Sequence, residues 1–186
     1  MIKKLLALAA VITLCGCTWG DYRATNYFDL QTPAVLPKVA LPVSIARFDN
    51  ASGVRQNIVY RTGDSLQRDE YNKFIDTPDR MIERYLTVAF SDRPGITNAT
   101  GDRLMIRGKI FLFEFDTERM EAAIGVEYII DRRNADGLVL ATHTGSSIYR
   151  SQATGTAPDV VTRAFSRCAA QFADALYTIT EGFKAE

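Results

Sequence analysis

Hydrophobic and polar positions alternate along the chain in a pattern that predicts a small number of elements. Strand candidates, recognised by alternating or short continuous apolar runs, lie at 43–48, 58–60, 104–115, 122–130 and 138–149. The last three follow one another closely and predict an antiparallel meander. A polar loop after residue 60 returns with Tyr71 and Phe74, which suggests a hairpin or a folded loop against the core.

Two stretches have the spacing of amphipathic helices. The first opens at Thr77, an N-cap residue type, with Pro78 at the first helical position, and it stops before Pro94. The second starts at Pro158 and runs to about Gly182. We therefore predict a single α+β domain, mainly an antiparallel sheet with two main helices packed on it.

The strand at 104–115 changes character along its length. The face that begins with Arg107 and Lys109 becomes aromatic at Phe111, Phe113 and Phe115. A strand that is apolar on both faces is covered on both sides. We expect a helix to cover these three aromatic residues, and contact with another subunit is the alternative.

The amino terminus has the pattern of an export signal. Lys3 and Lys4 precede an apolar run at 5–14, which is too short for the roughly 20 residues of a membrane-spanning helix. The following residues, Leu14 to Cys17, resemble a bacterial lipobox. The resemblance implies cleavage after Gly16 and a diacylglycerol on Cys17. Cys15 is the weaker candidate because bulky Leu14 precedes it, and a plain anchor or a cleaved soluble protein remains the alternative.

Residues 18–41 are rich in turn formers and prolines, which predicts a stiff, extended tether in which only Tyr27, Phe28 and Leu30 could dock on the domain. The predicted organisation is a signal peptide at 1–16, an acylated cysteine and tether at 17–41, and one domain at 42–186. Stable membrane attachment through lipid takes at least two chains, which a multiply acylated Cys17 would supply.

Composition excludes some classes of protein. The chain has 22 basic and 22 acidic residues, and removal of the signal takes away Lys3 and Lys4 only, so there is no positive field for nucleic acid. With 47% hydrophobic and 24% charged residues the chain has the composition of a folded domain. After processing, Cys168 is the one remaining free cysteine, and its place on an apolar helix face predicts a small core residue.

Little in the sequence points to catalysis. The single histidine, His143, lies in a predicted strand, where Ser146 points to the other face. One histidine and one free cysteine cannot complete a zinc site. Glu114 and Asp116 fall on one face of a strand. Carboxylates at a strand end are usually just solvated, so this pair does not indicate a catalytic site. We expect that the protein is not an enzyme and that it binds no cofactor or metal. A lipid-anchored hydrolase acting through His143 is a distant alternative.

Tyr60, Arg61 and Tyr71 form the most distinctive polar and aromatic group. An arginine that closes a strand beside two tyrosines can stack and form bidentate bonds. The group of Tyr60, Arg61 and Tyr71 would serve either as a structural corner, which we favour, or as a partner-binding surface.

Several of these features occur in the same order in a known family. The lipobox at Cys17, the segment 26–30, the segment Ile58 to Arg61, Tyr71 and the helix opening at Pro78 resemble the ABC-type transport auxiliary lipoprotein family, the PqiC-like lipoproteins. The resemblance extends over nearly the whole mature chain, and its most specific part is the Val-Tyr-Arg element with its downstream tyrosine.

The resemblance implies a non-enzymatic periplasmic component of an MCE-type transport system that moves lipids between the inner and outer membranes. By this resemblance the protein is anchored on the periplasmic face of the outer membrane of a Gram-negative bacterium. Its partners would be an MCE-domain protein and the associated ABC transporter or permease, and some relatives form rings, which makes a homo-oligomer an expectation. The alternative is a structural outer-membrane assembly lipoprotein that binds barrel proteins or envelope polymers.

Overall fold

Seven strands and two helices follow one another in the part of the chain that the structure, a computed structural model, describes: residues 23–91 and 101–183. The strands are β1 (Asn26–Phe28), β2 (Val43–Asn50), β3 (Asn57–Thr62), β4 (Ser65–Phe74), β5 (Arg103–Asp116), β6 (Glu121–Arg133) and β7 (Val139–Gln152). The helices are α1 (Pro78–Ala89) and α2 (Pro158–Glu181). The α+β prediction is confirmed. The predicted signal peptide and Cys17 lie outside the described residues.

All seven strands belong to one mixed sheet. Its order is β1-β4-β3-β5-β6-β7, and β2 also pairs with β5. The β3–β4 hairpin and the β5–β6–β7 meander are antiparallel and supply most of the pairing, as predicted. Three parallel pairings were not predicted: β1 with β4, β2 with β5, and β3 with β5. The two parallel strands β2 and β3 share one edge of β5, so β5 lies in the middle of the sheet.

Both helices begin as the sequence predicts and cover one face of the sheet. Thr77 takes the extended conformation before Pro78, although its side chain makes no capping hydrogen bond. α1 contacts mainly β2, while α2 lies across β6 and β7. Their inward side chains are fully or almost fully buried and include Met81, Ile82, Leu86, Val161, Phe165, Cys168, Phe172 and Leu176. No helix in the described ranges is long and apolar enough to cross a membrane.

An aromatic cluster occupies the middle of the core. The Phe165 ring stacks on the Phe113 ring with centroids 4.3 Å apart, and Phe74 meets both rings edge-on at 5.6 and 5.3 Å. These rings come from α2, β5 and β4. Offset-stacked and edge-to-face ring pairs add to the stability gained from burial alone. The cluster therefore holds α2 to both the central and the outer part of the sheet.

The structure corrects the prediction that Phe111, Phe113 and Phe115 share one face of a strand. The pairing of β5 with β6 shifts register between Ile110 and Leu112, which is a β-bulge. Beyond it Phe113 and Phe115 are buried, and Phe113 lies under α2, as expected of helix cover. Phe111 instead lies over Gly125 on the opposite face, where Leu112 also lies. The extra residue reverses the alternation, which a period of two cannot reveal.

Much of the predicted tether segment is docked on the domain. β1 pairs with β4, and the backbone N–H of Gln31 donates to Ser166 Oγ at 2.9 Å. Farther along, the N–H of Leu36 donates to the carbonyl of Ala89 at 2.8 Å. Leu30 is only 9% exposed. Residues 26–41 therefore form an arm docked on the domain, because their few apolar side chains and backbone groups find partners on β4 and both helices.

Candidate functional site

An ion pair joins Arg61 at the end of β3 to Glu114 of β5. The parallel pairing of β3 with β5 sets Arg61 opposite Asp116, so its side chain reaches Glu114 on the face away from the helices. Arg61 Nε and Nη2 donate to the two carboxylate oxygens of Glu114 at 2.5 and 2.9 Å. This bidentate geometry matches the planar guanidinium to the carboxylate. The hydrogen bond to Glu114 raises the pKa of Arg61, followed by the charge of the same carboxylate.

A charged cleft of about 380 Å³ surrounds this pair. Arg150 pairs with Glu121 at 3.2 Å, and Arg119 lies 3.7 Å from Asp116. Five carboxylates face three guanidinium groups across the cleft, which leaves it with a net negative charge. Its lining residues are Arg61, Gly63, Asp64, Leu112, Glu114, Asp116, Glu118, Arg119, Glu121, Ala123 and Arg150. Such a surface suits cationic groups on a partner, and among its described lining residues no nucleophile lies beside a base.

The predicted group of Tyr60, Arg61 and Tyr71 is divided by the sheet. Tyr60 faces the helices, and its ring meets Phe115 edge-on at 6.0 Å. Burial, and next the charge of Asp69, raise the pKa of Tyr60 to about 12. Tyr71 is 40% exposed, and the Arg23 guanidinium lies 5.6 Å from its ring centroid. Tyr60 and Arg61, adjacent on a strand, point to opposite faces. Only Arg61 of the three lines the cleft.

Glu114 is less exposed than its position beside Asp116 near a strand end predicts. Its side chain is 14% exposed and is bonded to Arg61. Arg61 and Glu114 are 53 positions apart in the chain. No local signal pairs them, because their meeting depends on the parallel contact between β3 and β5.

His143 lies on β7 opposite Ile130 of β6. Its nearest aromatic neighbour is Tyr128, with ring centroids 6.2 Å apart and the planes 27° apart. Ser146 pairs with Glu127 and therefore belongs to the other face of the strand. Within residues 23–91 and 101–183, no three His, Cys, Asp or Glu side chains are grouped as metal ligands.

Comparison with known proteins identifies the fold. No protein-family model and no curated protein sequence matches the chain. The structure is similar to that of protein XCC0632 from Xanthomonas campestris, of the family model DUF330. That similarity has a TM-score of 0.59 at 20% identity and covers 83% of this chain and 96% of that one. A crystal structure of a protein described only as uncharacterized gives 0.64 at 10% identity, covering 84% and 98%.

A presumed lipoprotein from Caulobacter crescentus gives a TM-score of 0.33 at 13% identity, covering 56% of this chain and 84% of that one. Its likeness is too low to support an argument. The other two matches show that the chain shares its fold with XCC0632 and with the uncharacterized protein over almost the whole length of each.

Proposed function

We propose that the protein is a non-enzymatic lipoprotein of the outer membrane, anchored on its periplasmic face, and a docking subunit of an MCE-type system for intermembrane lipid transport. The observation that carries the proposal is the motif Leu14 to Cys17 behind a short apolar run and two lysines. The fold shared with the DUF330 protein XCC0632 is compatible with the sequence resemblance. The separation of His143 from Ser146 favours a protein without hydrolase activity.

Acylation of Cys17 is tested by labelling cells with a palmitate analogue. The wild-type chain should carry the label and fractionate with the outer membrane. Cys17→Ser should lose both properties, while Cys15→Ser, the matched control, should keep them. A labelled Cys17→Ser chain, or unchanged fractionation of that variant, would refute the anchor.

The transport role is tested by recovery of partners from membrane extract. We expect the acylated chain to co-purify with an MCE-domain protein, and a deletion strain to show altered outer-membrane permeability. Recovery of a barrel protein without any MCE protein would instead favour the assembly role. Unchanged permeability together with no MCE protein would count against transport.

The charged cleft is the candidate contact for a cationic segment of the MCE partner. Because Arg61 is satisfied by Glu114, the exposed carboxylates of Asp64 and Glu118 are the groups that a partner would meet first. The double variant Asp64→Lys/Glu118→Lys should reduce MCE recovery about tenfold or more, since like charges would then oppose each other. The control Asp136→Lys/Asp174→Lys makes the same change of charge at exposed positions outside the cleft and should leave recovery unchanged.

A further inference from the structure

The docked arm brings the domain close to Cys17. Between Cys17 and Arg23, the first described residue, there are only five residues, where a free tether ending at residue 41 would have 24. An extended chain spans at most about 3.3–3.6 Å per residue, so the five-residue connection reaches roughly 20 Å. A domain of this size is about 40 Å across, judged from a radius of gyration of about 15 Å. The connection is therefore shorter than the domain, and the side bearing Arg23 faces the anchor.

Several contacts fix the arm firmly enough to set this orientation. Asn26 Nδ2 donates to Asn72 Oδ1 at 3.1 Å, and Arg84 of α1 donates to Asp29 at 2.6 Å. The Ile75 N–H donates to the Phe28 carbonyl at 2.8 Å. The arm is thereby held to β4 and α1 at several points, so it does not rotate freely relative to the domain.

The side near Arg23 combines cationic and exposed aromatic side chains. Arg23 lies against Tyr71, and Tyr27, 61% exposed, is the cross-strand neighbour of Lys73. We call Arg23, Tyr27, Tyr71 and Lys73 the arm patch. Tyrosine is favoured at the level of lipid headgroups, and lysine and arginine are attracted by anionic lipids.

Two carboxylates lie next to the arm patch. Asp69 accepts hydrogen bonds from the backbone of Tyr71 and Asn72 at 2.9 and 2.8 Å, which hold the carboxylate against the strand but do not remove its charge. Glu70 is exposed beside Tyr71. The charges of Arg23 and Lys73 are therefore balanced, and the exposed tyrosines together with the short connection to Cys17 are what favour the headgroup layer.

We propose that the arm patch lies in the headgroup layer of the membrane that carries the Cys17 anchor. The inference rests on the proposed acylation and adds to it a definite orientation. In the order of the sheet, β1 and β7 are its two ends. The edge formed by β1 and β4 touches the lipid, and β7 points away from it.

Depth-dependent quenching of tryptophan fluorescence tests the orientation. The chain has one tryptophan, Trp19, and Trp19→Phe removes its fluorescence from all the chains compared. Tyr27→Trp then reports on the arm patch. Leu138→Trp is the matched control, since Leu138 is 65% exposed and lies immediately before β7. The acylated full-length mature chains are reconstituted in vesicles of phosphatidylethanolamine and phosphatidylglycerol that contain a lipid labelled with a quencher near the headgroup.

We expect severalfold stronger quenching at position 27 than at position 138, and less quenching at position 27 when Arg23→Gln/Lys73→Gln is added. Vesicle flotation and mass spectrometry report on acylation separately. Chains that float but are quenched equally at both positions would overturn the orientation alone. Chains that are not acylated and do not float would overturn the anchor, and the orientation with it.

Discussion

Gly108 of β5 lies where close packing leaves no room for a side chain. A Cβ atom on Gly108 would lie 2.5 Å from the Glu127 carbonyl oxygen and 2.5 Å from Cε1 of Phe48. Neither neighbour can move easily, since the first is sheet backbone and the Phe48 ring is fully buried. The φ angle of Gly108 is not positive, so backbone conformation does not require a glycine there. The lack of room for a Cβ atom does.

Gly108→Ala should lower the free energy of unfolding by about 1–3 kcal/mol, the usual cost of overpacking a core. Gly155→Ala is the control, because a Cβ atom there meets nothing within 4 Å. The control should be neutral or slightly stabilising through the unfolded state. Urea denaturation of both variants measures the difference, and equal midpoints would contradict the close contact.

Cys168 is buried against β6, where its thiol donates to the Ala122 carbonyl at 3.4 Å. Burial raises the pKa of this thiol from 9.0 to about 12. Between these two values the unfolded chain ionises the thiol and the folded chain does not, so the folded state loses stability as the pH rises above 9. The loss reaches about 2–3 kcal/mol at pH 11.

Cys168→Ala isolates this effect, because Tyr60, whose pKa is also raised to about 12, stays in both chains. The difference in unfolding free energy between wild type and variant should shrink from pH 8 to pH 11. The wild-type thiol should also resist alkylation at pH 8 until the protein unfolds. A constant difference across that range, or rapid alkylation of the folded chain, would show that the thiol is not desolvated.

At the scale of elements, the sequence predicted what local periodicity encodes. α1, α2 and the β5–β6–β7 meander have strong local patterns and short connections, and each was located to within a few residues. β1 was missed because it has three residues, and the bulge at Phe111 was missed because one extra residue reverses the alternation. The contact between Arg61 and Glu114 was missed for another reason: it depends on which strands become neighbours, and the residues within each strand do not specify that.

The stacking of Phe165 on Phe113 predicts how α2 is held to the sheet. Phe165→Leu keeps the site apolar but removes the stacked ring, and it should cost about 1–2 kcal/mol of unfolding free energy. Tyr177→Leu, on the same helix but partly exposed, is the control and should have little effect. Thermal unfolding monitored by circular dichroism compares the two. A larger loss at position 177 would contradict the assignment of Phe165 to the centre of the core.

At the scale of the whole molecule, the two lateral edges of the sheet differ in how they are protected. β4, beside β1, contains Arg68, Asp69, Glu70 and Lys73, and charged side chains discourage pairing with further strands. β7 is 14 residues long, and Arg150 is its single Asp, Glu, Lys or Arg residue. Among the described residues β7 pairs with β6 alone. Its outer edge therefore presents a row of backbone groups that another chain could pair with.

Hydrogen exchange should resolve this difference strand by strand. β6 has neighbours on both sides, so nearly all of its amides should exchange slowly. In an antiparallel pair, alternate residues direct their N–H groups toward the partner, so alternate amides of β7 should exchange rapidly in the monomer. Uniform slow exchange along β7 would contradict an open edge. If dilution then restored the alternation, the covering strand would come from a second copy, which is how the expected homo-oligomer would reveal its interface. If the slow exchange persisted in a chain shown by its mass in solution to be monomeric, the cover would come from within the same chain, and the edge would be unavailable to a partner.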